Sequence, residues 1–508
     1  MKKTDRLHEL IRSLTRNEKG YFKKFSFIYS KEENAGYISL FDAIDRQAEY
    51  DEAALLRKFA KGKTNYNLST AKAFLYDRIL KSLEAYHAAR PAAEVRSCLN
   101  QYEILVQKIL HAQAEKVLDR AEQLAQKHEL TELMPDILIK RIALWKVRKF
   151  QDVRPEDVEG AISRLAANLK NIYDLASVYR FQSQYDHLYT SRGTLADAAH
   201  KAGFESFIRA YEDSGISSSE SFPVQVAYLL LLHSMCNFTD QVEKGYKANQ
   251  KLLLLFEQDP ARVENRRHQY HHALARMVES QTGLRLYGEA AHHLEKLKKS
   301  ALPSTSGADI PYWRYYTLLL EVMLLRSAHD FAGLKRIIDQ SLIPANFRLF
   351  ESRNYDIQIK LQAAMIYFYH GDYSRVSDML NEMLNNPRNG VRPDFYCYAK
   401  LLLAITYWEM GYQALVLPEV KSTRSFFESK LSLLPADKLI LRFIEKHHDI
   451  ASSSRRLLPA FDKLRSELLD SYTEPMNKRH LGYLDVGIWI DSKLQQKPIP
   501  QTVSPLAF

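Results

Sequence analysis

Apolar residues in this chain recur at intervals of three and four, and almost nowhere do they alternate with polar ones. Ile104, Leu105, Ile109 and Leu110 open one such stretch, and Val117, Leu118, Ala121, Leu124 and Ala125 continue it. That period matches one face of an α-helix and not the two-residue repeat of a strand. Residues that punctuate strands and loops are scarce. Gly and Pro, 17 each, make 34 of 508 residues, or about 7% where average usage is about 12%. So few turn residues argue against an all-β fold, a collagen or a long disordered chain. The expected class is all-α, with roughly two dozen helices on short loops. Helix starts carry their own marks. Thr15-Arg16-Asn17-Glu18 has the spacing of a capping box, Asp51 precedes Glu52-Ala53-Ala54-Leu55-Leu56, and Pro155-Glu156-Asp157 places proline and acids in a first turn. Only Tyr483–Ile490 gives no clear period.

Short helices cannot bury their apolar faces alone, so they must stack on neighbours. Residues Leu361–Pro387 are built for this. Ala364 is small enough for close helix contact, and Tyr367 fills the groove beside it. Gly371-Asp372-Tyr373 turns the chain into a second helix, which packs through Val376, Leu380 and Met383 and ends at Pro387. This segment resembles a tetratricopeptide repeat. Ala404, Tyr407 and Gly411-Tyr412 repeat the pattern 407 − 367 = 40 residues later. His329-Asp330-Phe331 stands 373 − 331 = 42 residues earlier, and Leu286–Ala290, with Leu294 and Leu297, a further 331 − 287 = 44. Ala114, Leu118 and Ala121 suit another second helix. The family period is about 34, so every spacing here is long, and the family's Trp-Leu-Gly signature is missing. The resemblance is therefore to a degenerate, tetratricopeptide-like repeat. It implies a right-handed α-solenoid of antiparallel helix pairs with an N-terminal helical cap.

The expected organisation is a basic helical region at 1–90, divergent helical pairs at 91–300, tetratricopeptide-like repeats at 301–435, C-terminal helices at 436–496 and a flexible tail at 497–508. Ser214–Ser221 and Ser300–Pro311 read as long surface loops. The opening, with Leu14–Lys23, Ile38–Asp45 and the apolar run Phe74, Leu75, Ile79, Leu80 and Leu83, resembles the start of uncharacterised bacterial helical-repeat proteins. No catalytic residue comes with that resemblance. The charged start has no apolar run of a secretory signal behind it. The longest apolar stretches, Ala227–Leu232 and Leu252–Phe256, are far short of the ~20 residues that cross a bilayer. Three scattered cysteines, Cys98, Cys236 and Cys397, read as reduced core residues. The expectation is a cytoplasmic protein without a membrane span.

Motifs that carry chemistry are lacking. There is no glycine-rich phosphate loop, Cys-x-x-Cys, His-Glu-x-x-His or Gly-x-Ser-x-Gly. His268 and His272 share a helix face with His271 between them, and His292-His293 follows. Arg266, Arg267 and Arg276 beside them would repel a metal cation, and the reading is of solvated or partly packed residues. The expectation is therefore no enzyme, no metal and no cofactor.

Two binding readings remain. The resemblance implies a concave face of first helices that grips a protein or peptide. Carried across by register, its lining is Tyr316, Met323 and Arg326 from one repeat, Gln358, Met365 and Tyr369 from the next, and Tyr398, Ile405 and Glu409 from the third. The alternative is a nucleic-acid-binding regulator. Net charge is 71 − 61 = +10, and residues 1–90 hold 18 Lys+Arg against 12 Asp+Glu, or +6 of it. Asp51–Phe59 and Leu68–Tyr86 then stand as a helix-turn-helix, with Lys58, Lys61, Lys63 and Lys72 on phosphates. The long linker Ala60–Asn67 and the apolar second helix speak against it. The preferred expectation is a non-enzymatic scaffold.

Overall fold

The computed structural model describes residues 5–29, 34–59, 67–192, 198–239, 241–304, 310–337, 340, 353–385, 393–430, 433–473 and 484–502. The described residues are all-helical, with 83% helix. Among the described residues there are 24 α-helices, packed in sequence-neighbouring pairs, and no strand. No helix among them is long and apolar enough to cross a membrane.

Helix starts follow local chemistry. Thr15 and Glu18 form the capping box: the Thr15 N–H donates to Glu18 Oε2 at 2.8 Å, and the Glu18 N–H donates to Thr15 Oγ1 at 3.2 Å. Asp51 Oδ1 accepts from the Ala54 N–H at 2.9 Å, and Pro155 opens the helix Pro155–Arg192. Helix ends share a second device. The N–H of Leu110, Leu130, Phe150, Leu286, Asp330, Asp372, Tyr412 and Lys497 each donates to the carbonyl five residues back, at 2.8 to 3.0 Å. The residue before each donor has a left-handed backbone, from Glu129 at φ 51° to Gly371 at φ 78°. This closure reverses the chain and satisfies a carbonyl that the helix leaves open. From Leu286 onward the closures recur at 330 − 286 = 44, 372 − 330 = 42 and 412 − 372 = 40 residues.

The chain forms two compact units, Met1–Ile172 with Ser304–Ile310, and Tyr173–Pro303 with Pro311–Phe508. The first unit holds two apolar clusters. One is drawn from residues 7–83 and centres on Phe22, Phe41, Leu75 and Ile79, and the other surrounds Ala114, Leu118, Ala121 and Ile137. The second unit also has two. One packs Tyr211, Leu252, Leu274 and Trp313, and the other packs Ala364, Phe368, Trp408 and Trp489.

Several expectations change. Ser214–Ser221 is a tight turn and not a long loop. Gly215 has φ 75°, Ile216–Ser218 is one turn of 3-10 helix, and Ile216 is buried. Ser300–Ser304 continues the helix Tyr287–Ser304, with Ala301 buried, because the apolar period of Leu294 and Leu297 runs on through it; 305–309 lie outside the described residues. Val486–Gln495 is a helix capped by Asp485. The flexible tail does not begin at 497: Ile499 is buried, Ile499–Gln501 forms a 3-10 turn, and Thr502 Oγ1 donates to the Pro498 carbonyl at 3.0 Å. Residues 503–508 lie outside the described residues, as does Pro387. The three cysteines are buried and unpaired by disulfides.

Ala364 has no exposed surface. Ala364→Leu should therefore overpack the contact between paired helices and cost about 1–3 kcal/mol by urea denaturation; an unchanged midpoint would place Ala364 away from a close crossing. Ile109 is 76% exposed and holds φ 61°, a conformation that strains a β-branched residue by about 1–2 kcal/mol. Ile109→Gly should raise stability by about 1 kcal/mol, and a fall would contradict this account of the helix end.

Candidate functional site

The helix Arg267–Gly283 places His268, His272, Arg276 and Glu279 on one face, at steps of four, four and three. Phe222–Phe238 brings His233 and Asn237 to it, and Ile310–Ser327 brings Tyr312, Trp313 and Tyr316. Glu279 is the hub. Its Oε1 accepts from the Tyr316 hydroxyl at 2.8 Å. Its Oε2 accepts from Arg276 Nη1 at 2.9 Å and, more weakly, from Asn237 Nδ2 at 3.5 Å. His233 Nε2 lies 3.7 Å from the same oxygen. His233 is itself fixed: Nδ1 donates to the Gly245 carbonyl at 3.1 Å, and Asn237 Nδ2 contacts Nε2 at 3.0 Å. A Cβ at Gly245 would come within 3.3 Å of Cys236 Cβ, so the close approach that delivers this carbonyl favours glycine.

Burial alone would raise the Glu279 carboxyl, but the Arg276 charge and its hydrogen bond hold it well below the usual carboxylate range. Arg276 stays charged despite its burial, held by Tyr316 and Glu279. Burial pushes the Tyr316 hydroxyl well above its ordinary value. Burial, with the charge of Arg276, lowers His272 to about 3; burial, with His268 and Arg267, lowers His271 to about 4. Both rings are neutral near pH 7. Beneath them the buried Trp313 Nε1 and His271 Nδ1 have no hydrogen-bond partner among the described residues.

Arg276 and Glu279 are densely surrounded by protein yet keep 29% and 18% of their side-chain surface accessible. Both are therefore half-buried. The arrangement suits holding a polar group, not moving a proton. Glu279 is too strongly ionised to act as an acid at neutral pH, and His272 too weak a base. Cys236 is no nucleophile there, since burial lifts its thiol to about 11. Among the described residues no three His, Cys, Asp or Glu gather as metal ligands.

The polar row continues onto the next helices. Tyr315 donates to Gln358 Oε1 at 3.2 Å, and Arg326 Nη1 donates to Gln362 Oε1 at 3.4 Å. Tyr316, Met323, Arg326 and Gln358 are all half-buried. The rest of the expected lining is core. Met365, Tyr369, Tyr398 and Ile405 are buried, and only 3% of the Glu409 side chain is accessible. Met365, Tyr398 and Ile405 lie inside the apolar cluster of the paired helices, Tyr398 against the Phe427 ring at 5.5 Å, whereas the helix Val486–Gln495 and its cap cover Tyr369 and Glu409. Trp489 Nε1 donates to Glu409 at 2.7 Å, Lys493 Nζ at 2.5 Å, and the Asp485 N–H donates to the Tyr369 hydroxyl at 3.1 Å. These five positions are not open to a partner.

The basic set also disperses. Lys58 is exposed, 5.5 Å from the centre of the Phe59 ring. Lys72 pairs with Asp5 and donates to the Tyr50 hydroxyl at 2.6 Å, inside the helical region and not on an outer face. Lys61 and Lys63 lie outside the described residues. The arginines near 262 are packed in part: Arg262 lies 4.2 Å from the centre of the Phe222 ring and donates to the Leu255 carbonyl at 3.0 Å.

Sequence reasoning did not single out Glu279, His233 or Asn237. The local signals were a mixed-charge pair three residues apart, Arg276 and Glu279, and a polar pair four apart, His233 and Asn237, within an apolar helix. No family model matches the chain, and no curated protein matches its sequence.

Unfolding frees His271 and His272 to take up protons below their ordinary value of 6.5. Stability is thus unaffected above that pH and falls as pH drops below it, by about 2 kcal/mol per ring at pH 5. Glu279 adds its own loss only below the usual carboxylate range. His272→Gln should shrink the stability difference between pH 7 and pH 5 by about 2 kcal/mol, measured by urea denaturation; an unchanged difference would mean that the ring is not held neutral.

Proposed function

We propose that this protein is a non-enzymatic scaffold of the cytoplasm. It binds a protein or peptide along the curved face of a right-handed, tetratricopeptide-like solenoid of antiparallel helix pairs, without a cofactor. The observation that carries this reading is the row of half-buried polar side chains linking alternate helices. Asn237 and Tyr316 bond Glu279, and the half-buried Gln358 and Arg326 bond the buried Tyr315 and Gln362, so side-chain hydrogen bonds bridge Phe222–Phe238, Arg267–Gly283, Ile310–Ser327 and Arg353–Tyr369. Half-buried Arg and Tyr, with Met323 beside them, are residues that interface centres favour. The recurring helix closures support the repeat reading. The partner is expected to add side chains to a row that is already ordered.

The nucleic-acid alternative draws less support. The outer face of the helix Leu68–Tyr86 presents Phe74, Asp77, Leu80, Lys81 and Glu84, and two of its three charges repel phosphate.

Affinity purification of the full chain from its native cell, with mass spectrometry, tests the choice. A partner should be captured, and Arg326→Glu with Gln358→Glu should weaken its binding at least about tenfold without lowering the thermal midpoint. Lys58→Gln should leave it unchanged. Recovery of one nucleic-acid sequence at physiological salt, lost with Lys58→Gln and Lys63→Gln, would instead favour the alternative.

A further inference from the structure

A separate cavity, of about 390 Å³, lies near the C-terminal end of the second unit. Three segments build it: the turn Tyr369–Tyr373, the serine run Ser452-Ser453-Ser454 ahead of the helix Leu458–Ser471, and the end of Val486–Gln495 with Lys497–Ile499. Each segment is shaped by its backbone. Gly371 holds φ 78°, and no atom lies within 4 Å of where its Cβ would stand, so the turn leaves the space open. Gln496 takes φ 52°, and the Lys497 N–H closes the helix on the Ser492 carbonyl at 3.0 Å. Pro498 and the buried Ile499 then fold the chain back. Lys497 is brought into the same wall as the serine run.

The lining holds Lys493 and Lys497 and no carboxylate. Lys493 is compensated from behind by Glu409, which also accepts from Trp489 Nε1 at 2.7 Å and Ser452 Oγ at 2.9 Å. Lys497 is exposed, and its ammonium makes no hydrogen bond or ion pair with a described residue. The Ser453 hydroxyl is likewise without a partner among them. The cavity therefore carries positive charge and a donor that the chain does not use. Its other side is apolar, formed by Leu458, Phe461, Pro498 and Ile499. The volume matches roughly a dozen waters at about 30 Å³ each, or a molecule of one or two rings.

We propose that this cavity binds a small organic anion, with one oxyanion group on an apolar ring-sized body. The oxyanion takes Lys497 Nζ and Ser453 Oγ, the one lining cation without a carboxylate partner among the described residues and the hydroxyl beside it. The body lies against Leu458, Phe461 and Pro498. Charge sets the sign of the ligand, and the apolar wall excludes a bare inorganic ion as the whole of it. The site is independent of the partner-binding reading above, since none of these residues belongs to the polar row.

The test uses the full chain and 1-anilinonaphthalene-8-sulfonate, an aromatic anion whose fluorescence rises in apolar surroundings. Wild type should bind it saturably and more weakly as salt rises. Lys497→Glu should weaken binding by about tenfold or more, Lys497→Arg should retain it, and Ser453→Trp, which fills the mouth, should abolish it. Both positions are exposed, and matched thermal melts would confirm folding. The uncharged N-phenyl-1-naphthylamine should bind at least about tenfold more weakly. Competition by 1-naphthoate and by 1-naphthyl phosphate then tells a carboxylate from a phosphate ligand. Equal binding by wild type and Lys497→Glu, equal binding of the neutral probe, or no saturable binding by wild type would overturn the proposal.

Discussion

One hydrogen bond recurs at eight of the described helix ends: an amide donating to a carbonyl five residues back, over a residue with a left-handed backbone. It ends the helix at a fixed point and in a fixed direction. The following helix then returns along its neighbour, and two apolar stripes that could not be buried separately meet. Gly371 and Gly411 adopt this conformation without steric strain, whereas Ile109, Glu129, Arg285 and His329 adopt it at a cost. That L-residues are held there shows that packing of the paired faces outweighs a local strain of about 1–2 kcal/mol per turn. His329 also stacks on Phe331, with ring centroids 5.9 Å apart, inside the turn it closes.

Stacked pairs leave polar side chains trapped between alternate helices, and here the chain resolves them around carboxylates. Glu279 gathers Tyr316, Arg276 and Asn237, while Glu409 gathers Trp489, Ser452 and Lys493. A buried carboxylate with every oxygen occupied is tolerable, but one stripped of a partner is strongly destabilising. Each hub therefore ties the positions of several helices to one another, because sliding any of them uncouples the charge. The same logic fixes His272 as a neutral ring, since burial disfavours its charge and a protonated imidazole beside Arg276 would add a second cation to a site with one compensating anion.

What the sequence made legible was set by local chemistry. Thr15, Asp51 and Pro155 announce helix starts because a cap involves residues within one turn of one another. The turns near 287, 331, 373 and 412 were readable for the same reason. Glu279 was not, because its partners Tyr316 and Asn237 lie 37 and 42 residues away and no local pattern encodes that meeting. The expected lining went astray at Tyr369 and Glu409 for a related reason: the element that covers them comes from far along the chain, with Trp489 80 residues beyond Glu409. Met365, Tyr398 and Ile405 are instead buried within the cluster of the paired helices themselves. Tyr483–Ile490, the stretch without a readable period, leads into that covering helix.

That cover divides the face into a closed stretch and a half-buried one. The helix Val486–Gln495 docks by giving an indole N–H and a lysine ammonium to one buried carboxylate, by donating the Asp485 amide to a tyrosine hydroxyl, and by setting Trp489 against Trp408 at 6.1 Å. An amphipathic helix with one aromatic and one polar anchor is thus sufficient to occupy the face where it is deepest. Toward residues 272–326 the same kind of row stays half-buried, with Arg276 still holding donors that Glu279 does not use. The difference between the buried and the half-buried stretch of this face is then not composition, since Tyr, Met and a paired carboxylate occur in both. It is whether the chain itself supplies the last helix. Where it does, the polar hub becomes a structural fastening. Where it does not, the hub stays ordered and half-buried, with Arg276 keeping donors that the described residues leave unused.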